Sequence, residues 1–83
     1  MTKETVFEQL KEIFSAVKPK ADLSGITMES NLLTDVGVDS LSLLLMTLSI
    51  ESKFNVRIAS DARFDSVSDV VDYIYERVPK QSE

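Results

Sequence analysis

The stretch from Asp35 to Phe54, DVGVDSLSLLLMTLSIESKF, constrains this chain more than any other. Gly37 marks a tight turn, Asp39 is an acidic N-cap, and Ser40 stands in the first turn of an amphipathic helix of about four turns. At about 100° per residue, Leu43, Met46, Thr47, Ile50 and Phe54 gather on one side, and Leu41, Leu44, Leu45, Leu48 and Ser52 on the other. Ser42, Ser49 and Lys53 form a narrow strip between them, with Glu51 on the opposite seam. A small domain has few layers and buries one such face well. Either this helix is central, or its second face meets something outside the chain. Ser40 sits where unpaired backbone N–H groups and the positive end of the helix dipole point outward, so a phosphate ester on its hydroxyl is stabilised there. That favours a serine carrying a phosphorylated group over a catalytic one.

Composition removes most competing chemistries. The chain has 83 residues, 43% hydrophobic and 28% charged, which fits one small globular domain spanning 1–83 and is too short for two cores. Cysteine is absent, which excludes a disulfide framework and a thiolate metal site and fits a reducing, cytoplasmic setting. Histidine is absent too, so no Ser-His-Asp hydrolase is assembled from this chain alone. No apolar run approaches the ~18 residues of a membrane span, and MTKETVFEQL lacks the pattern of a signal peptide. The net charge of −5 disfavours nucleic acid and suits solubility or basic protein partners.

Taken in order, Thr2 caps a first helix with Glu4 in its opening turn, and Val6, Phe7, Leu10, Ile13, Phe14 and Val17 recur at three-and-four spacing. The helix stops before Pro19. From Lys18 to Val38 no period is sustained. Ser30 and Asp22 are both possible starts for a short turn, and Leu23, Ile26, Met28, Leu32, Leu33 and Val36 are spaced to pin this long loop to the helices. After Phe54, Val56 and Ile58 alternate too briefly for a useful strand, and Ser60 is placed to cap a single turn ending near Phe64. Ser66 and Asp69 form an S-x-x-D capping signature before Val67, Val70, Val71, Ile74 and Val78, the apolar face of a last helix. The expected fold is all-α: a small bundle of three main helices plus a possible short one, with a mixed fold using residues 54–58 as a strand the alternative.

The run Val36-Gly37-Val38-Asp39-Ser40-Leu41 resembles the Gly-x-Asp-Ser-Leu motif of the acyl carrier protein family. The likeness extends over essentially the whole chain, through ITMESNL before the motif, ESKFNVRI at the end of the second helix and SVSDVVDYI in the last. The resemblance implies a 4′-phosphopantetheine arm joined to Ser40 as a phosphodiester by a separate transferase, with acyl groups held as thioesters on its terminal thiol. It implies a carrier and not an enzyme. It gives Asp39 two roles, capping the helix and helping the transferase position its metal, and makes Leu41 an exposed contact for partners, while Gly37 permits a positive φ.

The departures from the family pattern shape the expected partners. Fatty-acid-synthesis members carry many carboxylates on the second helix, whereas here Glu51 is the only acid between Ser40 and Phe54, opposed by Lys53. Docking is therefore expected to lean on Leu41, Leu44, Leu45 and Leu48, with Glu51 at the margin. The connection to the last helix also looks shorter than in those members, flanked by Arg57 and Arg63. A carried chain is expected to tuck between the second helix and that connection, near Met46, Ile50, Ile58, Ala62 and Phe64. These points describe a free-standing, monomeric acyl carrier of a dissociated fatty-acid or polyketide-type pathway, served by a phosphopantetheinyl transferase and by acyl-processing enzymes such as a ketosynthase or acyltransferase. A peptidyl or aminoacyl carrier, and an unmodified helical interaction module, are the alternatives.

Overall fold

The computed structural model describes residues 2–59 and 61–78. Helix α1 spans Lys3–Val17 and opens as its sequence dictates: the Thr2 side chain accepts from Thr5 N at 3.1 Å, and Glu4 lies in the first turn. Val6, Leu10, Ile13 and Phe14 turn inward, and Phe7 and Val17 pack half-buried beside them. Helical geometry ends at Val17. Lys18 swings to φ −127°, its N–H donates to Phe14 O at 2.7 Å, and Pro19 prevents continuation.

The long connection contains one short helical element that the sequence left open. Leu32–Val36 forms a single wide turn, with Val36 N donating to Asn31 O at 3.2 Å and Gly37 N to Leu32 O at 3.0 Å. Asp22 starts a separate single turn, its Oδ1 accepting from Ser24 N at 3.1 Å and Ile26 N donating to Leu23 O at 3.2 Å, but the wide turn starts at neither Ser30 nor Asp22. Asn31 caps it, its Oδ1 accepting from Leu33 N and Thr34 N, while Asp35 Oδ2 accepts from Asn31 N in return. Gly37, at φ +88°, closes the turn in the left-handed region that disfavours side chains. Leu32 and Val36 face the core, Ile26 joins them, and Leu23 and Met28 are half-buried. Leu33 is the correction to the expected pins: on the outer side of the turn, it is 68% exposed.

Helix α2 spans Ser40–Phe54 and ends at Asn55, in the left-handed conformation that asparagine tolerates. Helix α3 spans Val67–Arg77 and carries the anticipated capping box, with Ser66 Oγ accepting from Asp69 N and Asp69 Oδ2 from Ser66 N. Its next two donors are taken by the loop, since Val67 N donates to Ser30 O at 2.9 Å and Ser68 N to Met28 O at 2.8 Å. Leu32 N to Asp65 O, at 3.0 Å, completes a short stitch between loop and helix. The loop is ordered by these backbone bonds as much as by its apolar residues.

Helix α1 is the common partner, packing against both α2 and α3. The core runs from Val6, Leu10 and Phe14 through Met46 and Ile50 to Val67, Val70, Val71 and Ile74, each at most 1% exposed. Burying each of the larger side chains is worth about 1.5–3 kcal/mol, which is how so short a chain offsets its ordering entropy. The bridges Lys3–Asp72 and Lys53–Glu12 cross between helices at 3.0 and 3.3 Å, but both are solvent-screened and add little. The fold is the expected all-α bundle. Among the described residues there is no strand at 54–58. Of the single turn expected from Ser60 to near Phe64, the described residues show one turn bond, Ala62 N to Ala59 O at 3.1 Å; Ser60, its expected cap, lies outside the described residues.

Candidate functional site

The motif is built at the junction of the wide turn and α2. Gly37 reverses the chain, Val38 plugs into the core beside Val36, and the next residue emerges as the N-cap. Asp39 Oδ1 accepts from Ser42 N at 2.8 Å, and Asp39 O accepts from Leu43 N at 2.7 Å. The N–H groups of Ser40 and Leu41, at the first two helical positions, have no intrahelical acceptor and lie at the positive end of α2. Ser40 is exposed, and its hydroxyl has no hydrogen-bond partner among the described residues. No group of three or more acidic side chains capable of holding a metal occurs among the described residues.

The Ser42 N–H, followed by the Ser42 hydroxyl, holds the Asp39 carboxyl below the ordinary aspartate range, with Lys18 a smaller contributor. A carboxyl depressed in the folded state contributes stability above its unfolded pKa, and loses it as pH falls through the folded value. The carbon-13 titration of the Asp39 carboxyl is therefore expected to have its midpoint below that of an unstructured aspartate, with α2 fraying only in that acid window. A midpoint at or above the unstructured value contradicts the cap.

Helix α2 buries one narrow stripe, Ser42, Met46, Ile50 and Phe54. Ser42 was expected on the polar seam and is buried instead, directly one turn before Met46. The opposite side stays open: Leu41, Leu44, Leu45 and Leu48 are between 44% and 67% exposed, and Leu43 lies at the margin. The two faces read from the sequence are thus unequal, one against α1 and the core, the other facing outward.

Two grooves meet at Ser40. The larger, about 410 Å³, runs along α2 past Leu43, Leu44, Thr47 and Leu48 to Glu51, and its other wall is Ile58, Ala59, Ala62 and Phe64. At 1.5 Å per residue it extends about 16 Å from Ser40 to Glu51. The second groove, about 280 Å³, lies towards Asn31, Leu33 and Asp65, and shares Leu43 and Phe64 with the first. Of the expected acyl-pocket residues, Ile58, Ala62 and Phe64 line the larger groove. Met46 and Ile50 are fully buried beneath it, because their helical phase points them into the core; Leu43, Thr47 and Glu51 occupy the wall. Glu51, expected at the partner surface, is half-buried and turned towards the connection, its Oε2 accepting from Ile58 N at 2.9 Å.

Reading the sequence missed Tyr73, whose hydroxyl accepts from Ala59 N at 2.9 Å and whose ring meets Phe64 edge-on at 5.3 Å. It also missed the Asn31 and Asp35 turn lock. The Asn31 and Asp35 spacing was a readable local signal, but Tyr73 lies fourteen residues from Ala59 in sequence and gave none.

The structure thus sets an exposed serine hydroxyl at the start of a capped helix, at one end of an apolar groove on a helical bundle. Comparison with known proteins is specific. The family described as "Phosphopantetheine attachment site" matches residues 8–74. An acyl carrier protein of Thermotoga maritima is 34% identical over 79 residues, covering 93% of this chain and 96% of the relative. One of Clostridium perfringens is 39% identical over 77 residues, covering 90% of this chain and all of the relative. Among solved structures, the apo doublet acyl carrier protein from prodigiosin biosynthesis superposes with a TM-score of 0.73 at 25% identity, over 96% of this chain; this chain spans 39% of that protein. The chain belongs to the acyl carrier protein family, whose phosphopantetheine-binding domain bears a covalent 4′-phosphopantetheine. It is a carrier and not itself an enzyme, and its family works with phosphopantetheinyl transferases and acyl-processing enzymes. No helix among the described residues is long and apolar enough to cross a membrane.

The residues present fit such an arm. The Ser40 hydroxyl is accessible and uncommitted, and the N–H groups of Ser40 and Leu41 favour an anion beside it by about 0.3–1 kcal/mol. The Asp39 carboxylate opposes that charge by a similar amount across water, so an arm on Ser40 would be held by its covalent bond and not by the helix end.

Proposed function

We propose that Ser40 is the attachment residue of the arm, and that the chain acts as one monomeric carrier domain in the cytoplasm, a reading supported by its match to acyl carrier proteins over nearly their whole length. The observation that carries this reading is the exposed Ser40 hydroxyl, one residue after the Asp39 cap, at the point where two grooves meet. Once bound, the arm supplies a thiol on which acyl groups ride as thioesters. The chain's own residues do the rest: Gly37 turns the backbone, Asp39 fixes the first turn, and the groove from Leu43 to Ile58 shelters an apolar cargo. Tethering raises the local concentration of that cargo at each partner.

The partners are a phosphopantetheinyl transferase and then acyl-processing enzymes, such as a ketosynthase or acyltransferase, of a dissociated fatty-acid or polyketide-type pathway. The open leucines of α2, with a single acid whose carboxylate is already engaged, support a specialised pathway whose enzymes dock on apolar area. Leu44→Ala or Leu48→Ala is expected to weaken docking roughly tenfold, while raising salt from about 0.05 M to about 0.3 M changes it by no more than about threefold. A steep loss with salt and indifference to both substitutions contradicts the apolar surface.

The test of the reading is intact mass after incubation with a transferase and coenzyme A. One added arm on the native chain is expected. A chain left bare by a transferase that modifies other carriers in the same assay is an interaction module instead.

A further inference from the structure

The outer wall of the larger groove contains no helix or strand among the described residues, yet it is held at two consecutive amides by side chains from two different helices. From α2, Glu51 Oε2 accepts from Ile58 N at 2.9 Å; from α3, the Tyr73 hydroxyl accepts from Ala59 N at 2.9 Å. Ile58 and Ala59 both line the groove, and so does the Glu51 side chain. Tyr73 is itself fixed from two sides, with Phe64, another wall residue, edge-on at 5.3 Å and the Arg77 guanidinium stacked 3.5 Å from the ring centre. Arg77 in turn donates to Tyr73 O at 3.2 Å.

We propose that Glu51 and Tyr73 form a double clip that sets the position of the groove's outer wall, making them positioning residues for the carried chain. The inference rests on the groove being the seat of the cargo, as read above. The segment's own bond, Ala62 N to Ala59 O, ties it to itself and not to α2, so each clip governs how often the wall opens. A hydrogen bond to an ionised carboxylate is the stronger kind, which makes the Glu51 clip the tighter of the two. Because the clipped amides are adjacent, releasing either loosens both. The clip also places a carboxylate at the end of the groove farthest from Ser40. An apolar chain long enough to reach it would strip that carboxylate of water, so the clipped groove favours cargo that ends short of Glu51.

Amide hydrogen exchange on the unmodified full chain tests the clip without requiring an arm. Glu51→Ala keeps a strong helix former in α2, and Tyr73→Phe keeps the ring contacts with Phe64 and Arg77 while removing only the hydroxyl. Each is expected to speed exchange at Ile58 and Ala59 together by about tenfold, leaving Met46 and Ile50 unchanged. Unprotected Ile58 and Ala59 in the native chain, or protection unmoved by both substitutions, overturns the proposal. The same proteins loaded with a hexanoyl arm read the consequence. Cargo-dependent shifts at Leu43 and Thr47 in the native chain should shrink severalfold in the doubly substituted chain; equal shifts in both overturn the positioning role. If the native chain shows no cargo shifts at all, the groove reading fails, and with it the positioning role, while exchange still reports whether the clips hold the wall.

Discussion

Ser40→Ala is expected to abolish attachment of the arm completely while leaving the fold intact. The serine is exposed, its hydroxyl holds nothing in place, and the cap of α2 belongs to Asp39, so nothing structural depends on that oxygen. Surface replacements of this kind stay within about 0.5 kcal/mol, and the melting temperature of a domain this size should move by less than about 4 °C. Incubation with transferase and coenzyme A, followed by intact mass and thermal unfolding, separates the two effects. A variant that still gains an arm, or one that unfolds, contradicts the division of labour between Asp39 and Ser40.

Phe14→Ala should have the opposite profile. Phe14 is 1% exposed and belongs to the face of α1, the helix that packs on both others, so truncation removes a large side chain from the centre of the bundle. Such changes cost about 3–5 kcal/mol, comparable to the whole stability of a small domain at the lower end of the usual range. Urea unfolding should find the variant largely unfolded, or its midpoint far lower, with Ser40 unmodifiable to the extent that α2 is lost. A midpoint close to that of the native chain would mean that α1 is not the common partner.

The contrast between these residues explains what was legible in the sequence. Caps are local: Thr2, Asp39 and the Ser66–Asp69 box each bond within three residues, and all were readable from spacing alone. The apolar periods of α1 and α3 gave their buried faces for the same reason. Helix α2 was harder, because leucines on nearly every side leave its rotation to be set by packing. The structure turns Ser42, Met46, Ile50 and Phe54 inward, which carries Met46 and Ile50 out of the groove wall and brings Thr47 and Glu51 into it. Leu33 faces outward because the wide turn at Leu32–Val36 has a phase that no simple helical period reveals. The clips from Glu51 and Tyr73 are contacts across seven and fourteen residues, formed only once the connection has folded back between α2 and α3.

The most direct test of the central claim is fragmentation of the transferase-treated chain to locate the modified residue. This chain offers several hydroxyls on or near α2, including Ser42, Ser49 and Ser52, so position discriminates where total mass does not. The geometry predicts the arm on Ser40 alone. An arm found on any of the others, with Ser40 bare, would contradict it.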